Sequence, residues 1–431
     1  MSSSHFQYVL VGGGAAASAA AHSIRQTDPV GSILLVGQEH NRPYMRPALS
    51  KEYLLKQQSR IEIVSEPVGW FIQQHVELRT GRRVSQLDTA RQTICIDDGE
   101  EVAFDRLLIA TGASSKPLKV PGADLPNVFY LRTIEDCDRL LHAMDKAKLD
   151  GRAQPQTDSG TKAARGKAAV VGGGPLAIEV AAALKLSGLH VDLLVEQPYP
   201  WGKYAGENTG RFFTRYLESK DLAVRVDAVV ERIEGDGRAQ RVMLSDGPAV
   251  DCDFVVVAIG IVPNRELVRA TPIVAEKAIL ADSRCQTNIS GIYAAGDCAA
   301  VFDPLFGKHR MLEHWDSARL TGAIAGANMA GVEMHYNDVN SFTSPIFDLT
   351  MTVWGERRQV NHRLMRGTPS LDSIEFFEIG VAADGRVAQV LASGCAEQRN
   401  LLRFMVEKRL NVNGLEEKLK DPHWDLSQLN I

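Results

Sequence analysis

The sequence predicts an α/β fold with two βαβ units, followed by a separate α+β domain after about residue 328. Tyr8–Gln26 and Ala168–Gly188 each contain a β-branched apolar run, three glycines and an alanine-rich stretch that favours helix. A further apolar run follows each of them, at Ser32–Gly37 and at Val191–Glu196. Alternating strands and helices of this kind predict parallel sheets with helices on their faces.

Length and composition limit the possible classes of protein. The chain has 431 residues, a formal net charge of -5 and 45% hydrophobic residues. This length predicts two or three domains. The mild acidity argues against nonspecific binding to nucleic acid, which needs a basic surface. No apolar run reaches the about 18 residues of a membrane span, and the amino terminus does not resemble a secretory signal, so we expect a cytoplasmic protein.

The cysteines predict neither a metal site nor a redox pair. No two of them are closer than thirteen positions, so the C-x-x-C spacing of zinc sites and dithiols does not occur. We expect six reduced thiols, at Cys95, Cys137, Cys252, Cys285, Cys298 and Cys395.

Two short segments predict that the second βαβ unit is inserted in the domain that the first begins. An A-T-G segment precedes the second unit, and a G-D segment follows it well downstream. Between the two units, Asp150–Gly166 contains no apolar residue larger than alanine, so we expect an exposed loop there. The predicted domains are residues 1–120 with 253–327, the inserted residues 121–252, and the carboxyl-terminal residues 328–431.

The helices and strands outside the βαβ units have weaker signals. Thr133–Leu149 has a helical pattern. Two strand-like runs flank Asp384-Gly385, a dipeptide typical of a β-hairpin. Ala396–Leu410 carries apolar residues at helical spacing and predicts a helix after that hairpin.

The first glycine triplet predicts a dinucleotide site. In the pattern Gly12-x-Gly14-x-x-Ala17, the first glycine permits a tight turn and the second lets the backbone approach a pyrophosphate. The amino terminus of the following helix then offers N–H groups to the anion. Gln38 and Glu39 both stand near the end of the next strand, and either could bind the ribose.

The second triplet, Gly172-x-Gly174-x-x-Ala177, has the same spacing. Glu196 ends the next strand, where a carboxylate accepts from a ribose 2′-hydroxyl and repels a 2′-phosphate. NADH is therefore favoured over NADPH, although the nearby cation of Lys203 leaves NADPH as an alternative.

Four segments carry a resemblance to a known family. The chain resembles the FAD-dependent pyridine-nucleotide oxidoreductases, in the branch of the NADH:ferredoxin reductases and apoptosis-inducing factor. The resemblance is strong over about residues 6–330. The segments are PYMRPALSKE, FYLRTIEDCDRL, AAGDCA and LEHWDSA.

The resemblance implies roles for individual residues. Lys51 would lie beside the flavin ring with Glu179 facing it, and these two are the candidate catalytic residues. Asp297 would hold the ribityl chain. The residues assigned to FAD are Gly12, Gly14, Ala17, Gln38, Glu39, Arg46, Lys51, Val84, Thr111, Gly112, Arg132, Asp297, His314 and Trp315. Those assigned to NAD are Gly172, Gly174, Ala177, Glu179, Glu196, Lys203, Gly260 and Glu313.

The sequence departs from the family pattern at three positions. Gln38 stands where the family has the ribose glutamate. Pro175 replaces an aromatic residue that shields the flavin, and Thr343 replaces a tryptophan near it. We therefore expect a more open flavin face than is usual in the family.

The predicted function is hydride transfer from NADH to flavin N5, followed by electron transfer to a ferredoxin, a rubredoxin or a quinone. The alternative resembles apoptosis-inducing factor, which holds a long-lived complex of reduced flavin with NAD⁺ and acts through protein partners. No metal site is expected. The carboxyl-terminal domain could serve as a homodimer interface.

Overall fold

The structure is a computed structural model that describes residues 4–97, 99–153 and 166–429. The chain divides into two compact units. Unit 1 comprises Met1–Arg46, Ser59–Ser114 and Ile261–Ser341. Unit 2 comprises Pro47–Gln58, Ser115–Gly260 and Phe342–Ile431. The three predicted domains stay a prediction, and most of the predicted loop Asp150–Gly166 lies outside the described residues.

Twenty-five strands and eight α-helices are formed by the residues that the structure describes. The strands are β1 (Ser4–Val11), β2 (Ile33–Gly37), β3 (Val76–Thr80), β4 (Val84–Asp88), β5 (Thr93–Ile96), β6 (Glu101–Ile109), β7 (Ala113–Ser115), β8 (Val128–Tyr130), β9 (Lys167–Val171), β10 (His190–Leu194), β11 (Ala223–Arg225), β12 (Val230–Glu234), β13 (Arg241–Leu244), β14 (Val250–Asp251), β15 (Phe254–Val257), β16 (Ile261–Pro263), β17 (Ile279–Ala281), β18 (Ile292–Ala294), β19 (Ala299–Asp303), β20 (Lys308–Arg310), β21 (Ser341–Ile346), β22 (Leu349–Gly355), β23 (His362–Arg366), β24 (Phe376–Val381) and β25 (Val387–Ser393). The helices are α1 (Ala15–Thr27), α2 (Val68–Gln73), α3 (Ile134–Ala153), α4 (Pro175–Leu186), α5 (Glu207–Ser219), α6 (Trp315–Met329), α7 (Arg399–Glu407) and α8 (Glu416–Lys420).

Unit 1 is built around a seven-stranded sheet in the order β3-β2-β1-β6-β5-β4, with β18 beside β6. Strand β1 runs parallel to both β2 and β6, so the first predicted βαβ unit is confirmed. Leu10, Leu34 and Leu107 on these strands are fully buried, as expected for central strands of a parallel sheet.

Helices α1 and α6 of unit 1 pack with their backbones in close contact. A Cβ atom on Gly322 would stand 2.1 Å from the carbonyl oxygen of Ala16, and one on Gly326 would stand 2.4 Å from that of Ala20. Only glycine fits where two helices approach this closely. The small residues therefore let the amino-terminal half of α1 pack directly against the middle of α6.

Unit 2 contains a five-stranded sheet in the order β11-β10-β9-β15-β8, in which every pairing is parallel. Strands β9 and β10 with helix α4 between them form the second predicted βαβ unit, which is confirmed. The predicted helix at Thr133–Leu149 is also confirmed, as α3.

The carboxyl-terminal part of unit 2 is a five-stranded sheet in the order β21-β22-β25-β24-β23. Strands β24 and β25 pair antiparallel around Asp384-Gly385, which confirms the predicted hairpin. Helix α7 is shorter than the predicted Ala396–Leu410 at both ends. At its carboxyl end, Arg409 adopts φ 47°, a left-handed conformation that an α-helix does not continue through.

Across residues 4–97, 99–153 and 166–429, none of the helices has both the length and the apolar character needed to cross a membrane.

Candidate nucleotide-binding sites

The first glycine loop connects β1 to α1 in unit 1. Gly12 has φ 135°, and a Cβ atom there would stand 2.0 Å from the carbonyl oxygen of Ala110, so this turn requires glycine. Gly14 is the N-cap of α1 and makes no side-chain capping hydrogen bond, and a Cβ atom there would have nothing within 4 Å. The open N–H groups of the helix terminus fit a phosphate group. Ala17 is fully buried beneath the loop.

Glu39, not Gln38, is held by neighbouring side chains at the end of β2. The Tyr44 hydroxyl donates to Glu39 Oε2 at 2.6 Å, and the Arg46 guanidinium pairs with Oε1 of the same carboxylate. Gln38 is exposed. The end of β2, two residues before Glu39, lies against the glycine loop, because a Cβ atom on Gly13 would stand 3.3 Å from Cα of Gly37. Its role in binding the FAD ribose stays a prediction.

The charge of Arg46 is reinforced by its surroundings. Burial alone would lower the pKa of the guanidinium, but Tyr44, Glu39 and Asp297 together raise it. A permanently charged guanidinium suits the binding of a diphosphate. Asp297 is one of the groups that raise this pKa, and both residues belong to unit 1.

The A-T-G segment after β6 is fastened by Asn264, a residue that the sequence analysis missed. The Thr111 hydroxyl donates to the carbonyl oxygen of Asn264 at 2.7 Å, and the Asn264 amide nitrogen donates to the carbonyl oxygen of Thr111 at 2.9 Å. The Asn264 N–H donates to the carbonyl oxygen of Gly112 at 2.9 Å. Sequence alone offered no signal for this contact, because 153 positions separate Asn264 from Thr111.

The remaining predicted residues of unit 1 lie in a turn against α1, at the start of α6 and on β4. Asp297 lies in a 3₁₀ turn, Gly296–Cys298, that contacts α1: a Cβ atom on Gly296 would stand 3.1 Å from Cβ of Ala16. His314 is the N-cap of α6, and Trp315 is its first residue. The other two are Val84, buried at the start of β4, and Glu313, which is exposed.

The second glycine loop, in unit 2, repeats the geometry of the first. Gly172 has φ 139°, and a Cβ atom there would stand 2.3 Å from the carbonyl oxygen of Ala258 and 3.2 Å from Cβ of Ala177. Gly174 is the N-cap of α4, again without a side-chain cap, and a Cβ atom there would have nothing within 4 Å. This loop also fits a phosphate group.

The residues predicted to select the nucleotide surround the second loop. Glu196 is exposed just after β10, and Lys203 is exposed in the following turn. Gly260 lies after β15 with φ 116° and open space on its Cβ side. Trp201, which the sequence analysis missed, is buried and donates its backbone N–H to the carbonyl oxygen of Gly173 at 2.7 Å.

The two candidate catalytic residues form an ion pair within unit 2. Lys51 Nζ lies 3.0 Å from Glu179 Oε1, with side-chain exposures of 19% and 9%. Two hydroxyls that the sequence analysis missed also bind this carboxylate, Ser344 Oγ at Oε1 and Ser50 Oγ at Oε2, each at 2.6 Å. The pair is thus part of a four-residue cluster, which we call the Glu179 cluster: Ser50, Lys51, Glu179 and Ser344. Arg132 also belongs to unit 2, and its backbone N–H donates to Asp136 Oδ2 at 3.0 Å.

The cysteines are all free thiols, and all six lie within the described ranges. Five are buried, and only Cys95 is partly exposed. Burial raises the pKa of Cys137 and of Cys252 to about 12 and that of Cys395 to about 11. Protonated, buried thiols are poor nucleophiles. No group of three or more potential metal ligands occurs among the described residues.

Comparison with known proteins identifies the family. Residues 6–322 match the family model described as pyridine nucleotide-disulphide oxidoreductase. A ferredoxin–NAD(P)(+) reductase from Sphingomonas sp is 29% identical over 430 residues, which are 99% of this chain and 98% of that protein. Monodehydroascorbate reductase 2 from Arabidopsis thaliana is 28% identical over 437 residues, with coverages of 96% and 97%.

A solved structure shares the architecture along almost the whole chain. The putidaredoxin reductase–putidaredoxin covalent complex contains a chain that superposes with a TM-score of 0.86 at 25% identity. The match covers 98% of this chain and 96% of that one.

Proposed function

Since this chain belongs to the pyridine nucleotide-disulphide oxidoreductases and is therefore an FAD-dependent NAD(P)H oxidoreductase, we propose that it passes electrons from NADH to a ferredoxin-type iron–sulfur protein. Bound FAD would accept a hydride from NADH and release its electrons to the acceptor. The protein would bind the two nucleotides, orient them and stabilise charge on the flavin.

The observation that carries this proposal is the repeated glycine loop. Gly12 and Gly172 have φ values of 135° and 139°, and each would bring a Cβ atom against the backbone at the end of a neighbouring strand. Gly14 and Gly174 leave open space at two helix termini. Two such loops, one in each compact unit, support the binding of two dinucleotides by one chain.

We propose that the loop of unit 1 binds FAD and the loop of unit 2 binds NADH. Arg46, with its charge reinforced by Tyr44 and Glu39, would neutralise the FAD diphosphate in unit 1. In unit 2, exposed Glu196 would accept a hydrogen bond from the NADH ribose and disfavour NADPH.

Lys51 would supply positive charge to the flavin while Glu179 holds its ammonium group. Glu179 is nearly buried, so its charge is screened less than that of a surface carboxylate. Breaking a buried pair by removing one partner costs about 3–5 kcal/mol, whereas a surface pair contributes about 1 kcal/mol or less. With side-chain exposures of 19% and 9%, this pair is more buried than a surface ion pair, so we expect each partner to depend on the other more strongly than at the surface.

The names of the relatives support a ferredoxin-type acceptor but also indicate a rival. The Sphingomonas relative is named for ferredoxin, and the superposed chain was solved with putidaredoxin. The plant relative is named for monodehydroascorbate instead. Thiol–disulfide exchange is disfavoured, because five of the six free thiols are buried.

Stopped-flow absorbance tests the proposal. The FAD-loaded protein is reduced with NADH, and its reoxidation is then followed with a plant-type ferredoxin, a rubredoxin, a benzoquinone, monodehydroascorbate and oxygen. We expect fast reduction by NADH and fastest reoxidation by the iron–sulfur proteins. Preference for monodehydroascorbate or quinone would reject the acceptor that we propose, and a protein that does not bind FAD would reject the whole proposal.

The same experiment separates the proposal from the sensor-like alternative. A protein that works like apoptosis-inducing factor should keep its flavin reduced in complex with NAD⁺ and react slowly with every acceptor. The relatives compared above are named as reductases and give that alternative no support. Cytoplasmic location and homodimer formation stay predictions.

A further inference from the structure

We infer that Ser344, on the first strand of the carboxyl-terminal sheet, is a positioning residue for the Lys51–Glu179 pair. This inference deepens the proposed function and rests on it for the role of Lys51. All four members of the Glu179 cluster lie in unit 2.

Strand β21 directs alternate side chains to the nucleotide-binding part of unit 2. Successive residues of a strand point to opposite faces, so Phe342 and Ser344 share one face. The ring centroids of Phe342 and Trp201 lie 5.6 Å apart. The backbone N–H of Trp201 donates to the carbonyl oxygen of Gly173 in the second glycine loop. Ser344 is buried and donates to Glu179 on α4. Thr343, on the opposite face, is exposed.

A third contact holds the far end of the same strand. The hydroxyl oxygen of Tyr216, on α5, lies 2.9 Å from the carbonyl oxygen of Ile346 and 2.6 Å from Asp348 Oδ1, so it contacts the chain at the end of β21. Strand β21 is therefore anchored on both sides of Ser344. A strand anchored in this way has little freedom to carry the Ser344 hydroxyl away from Glu179.

The three donors to Glu179 together determine how the carboxylate is oriented. Ser50 occupies Oε2, whereas Ser344 and Lys51 share Oε1. An ionised carboxylate accepts about four hydrogen bonds, so three short contacts nearly saturate it. Without the two hydroxyls, the carboxylate could rotate and Lys51 would lose its defined partner. A hydrogen bond from a hydroxyl to an ionised carboxylate is stronger than one between two neutral groups, so the two serines can hold Glu179 in one orientation.

The sequence around Ser344 does not predict that its hydroxyl orients Glu179. Ser344 lies 165 positions from Glu179 and belongs to the carboxyl-terminal sheet, not to the nucleotide-binding βαβ unit. The positioning of the candidate catalytic pair therefore depends on that sheet.

The test compares Ser344→Ala with the control Thr350→Ala, which removes an exposed hydroxyl from the neighbouring strand β22. Stopped-flow measurements give the limiting rate of flavin reduction and the Kd of NADH separately. We expect Ser344→Ala to lower the limiting rate about tenfold, equivalent to about 1.4 kcal/mol, and to change the Kd less than twofold. Thr350→Ala should match wild type.

A double-mutant cycle distinguishes positioning from general destabilisation. If Ser344 acts through Glu179, then Ser344→Ala should have no further effect in a Glu179→Ala background. An equal loss in both backgrounds would overturn the inference, as would a wild-type rate in Ser344→Ala. Ser50→Ala removes the hydroxyl from the other carboxylate oxygen and carries the same expectations, so the test does not depend on one variant folding.

A measurement without turnover separates this inference from the proposed function. Lysines are reductively methylated with ¹³C-formaldehyde, and the Lys51 signal is assigned by its loss in Lys51→Arg. We expect the Lys51 signal to move toward those of exposed lysines in Ser344→Ala and to stay unchanged in Thr350→Ala. An unmoved signal in Ser344→Ala would overturn the inference. A shifted signal in a protein whose flavin NADH does not reduce would support the positioning and reject the proposed function.

Discussion

Alanine substitutions at Gly172 and Gly174 should have different consequences, although the two glycines are only two positions apart: the first should lower stability and the second should lower the affinity for NADH. At Gly172 the backbone has φ 139°, and an added Cβ atom would stand 2.3 Å from the carbonyl oxygen of Ala258. At Gly174 the backbone is extended, with φ -88° and ψ 175°, and an added Cβ atom meets nothing within 4 Å. The first substitution therefore perturbs mainly folding, and the second perturbs mainly the binding of a ligand at the helix terminus.

The expected magnitudes follow from these geometries. Placing a non-glycine residue in a sparsely populated backbone region costs about 1–3 kcal/mol, and overpacking against fixed atoms adds about 1–3 kcal/mol. Gly172→Ala should therefore destabilise the protein by about 2–6 kcal/mol. At about 2–4 °C per kcal/mol for a domain of 150–250 residues, its melting temperature should fall by about 4–24 °C. Gly174→Ala replaces glycine with a less favourable N-cap residue, which should lower the free energy of unfolding by about 1 kcal/mol.

Three readouts test the pair: bound FAD from the visible spectrum, the melting temperature, and the Kd of NADH. Gly174→Ala should keep its FAD and its melting temperature within about 4 °C of wild type, the effect of about 1 kcal/mol. It should also bind NADH at least about tenfold more weakly, a loss of about 1.4 kcal/mol. Unchanged NADH affinity in this variant would show that the pyrophosphate does not approach the second glycine loop. A Gly172→Ala protein as stable as wild type would refute the steric reasoning.

Three further predictions follow from the site geometry. Wild type should use NADH with about tenfold to a hundredfold higher kcat/KM than NADPH, since an unpaired or like-charge contact at Glu196 costs about 1–3 kcal/mol. Glu196→Gln should bring the two kcat/KM values closer together, and equal values in wild type would contradict the role of Glu196 at the ribose. Lys51→Ala should slow flavin reduction in single-turnover assays while FAD stays bound, and Glu179→Ala should slow it less. The control Lys56→Ala breaks an exposed ion pair with Asp145 and should reduce its flavin at the wild-type rate. A raised pKa keeps a buried thiol protonated until the pH approaches that value, so iodoacetamide at pH 8 should label Cys95 alone and leave flavin reduction intact, as measured by mass spectrometry and an activity assay. Labelling of a buried cysteine in the folded protein would contradict the protection of these thiols by burial.

The sequence by itself determined the two βαβ units, the two glycine loops and the hairpin of the carboxyl-terminal sheet. Each of these is specified by residues that are neighbours in the chain. The turns at Gly12 and Gly172 need positive φ, which glycine adopts without a steric penalty. Apolar runs and alanine-rich stretches then set the strands and helices around them. Local chemistry is sufficient for such elements, so the structure and the sequence agree on them.

Only the tertiary structure decided which side chains meet. The sequence left Gln38 and Glu39 as alternatives, and the fold brings Glu39 to Tyr44 and Arg46. It likewise fastens the A-T-G segment with Asn264 and surrounds Glu179 with two serine hydroxyls. These partners are up to 165 positions apart, and a serine or an asparagine in a loop has many possible partners. Their pairing is fixed by the packing of whole strands and helices, because a hydroxyl contributes to a site only when distant elements hold it within hydrogen-bonding distance.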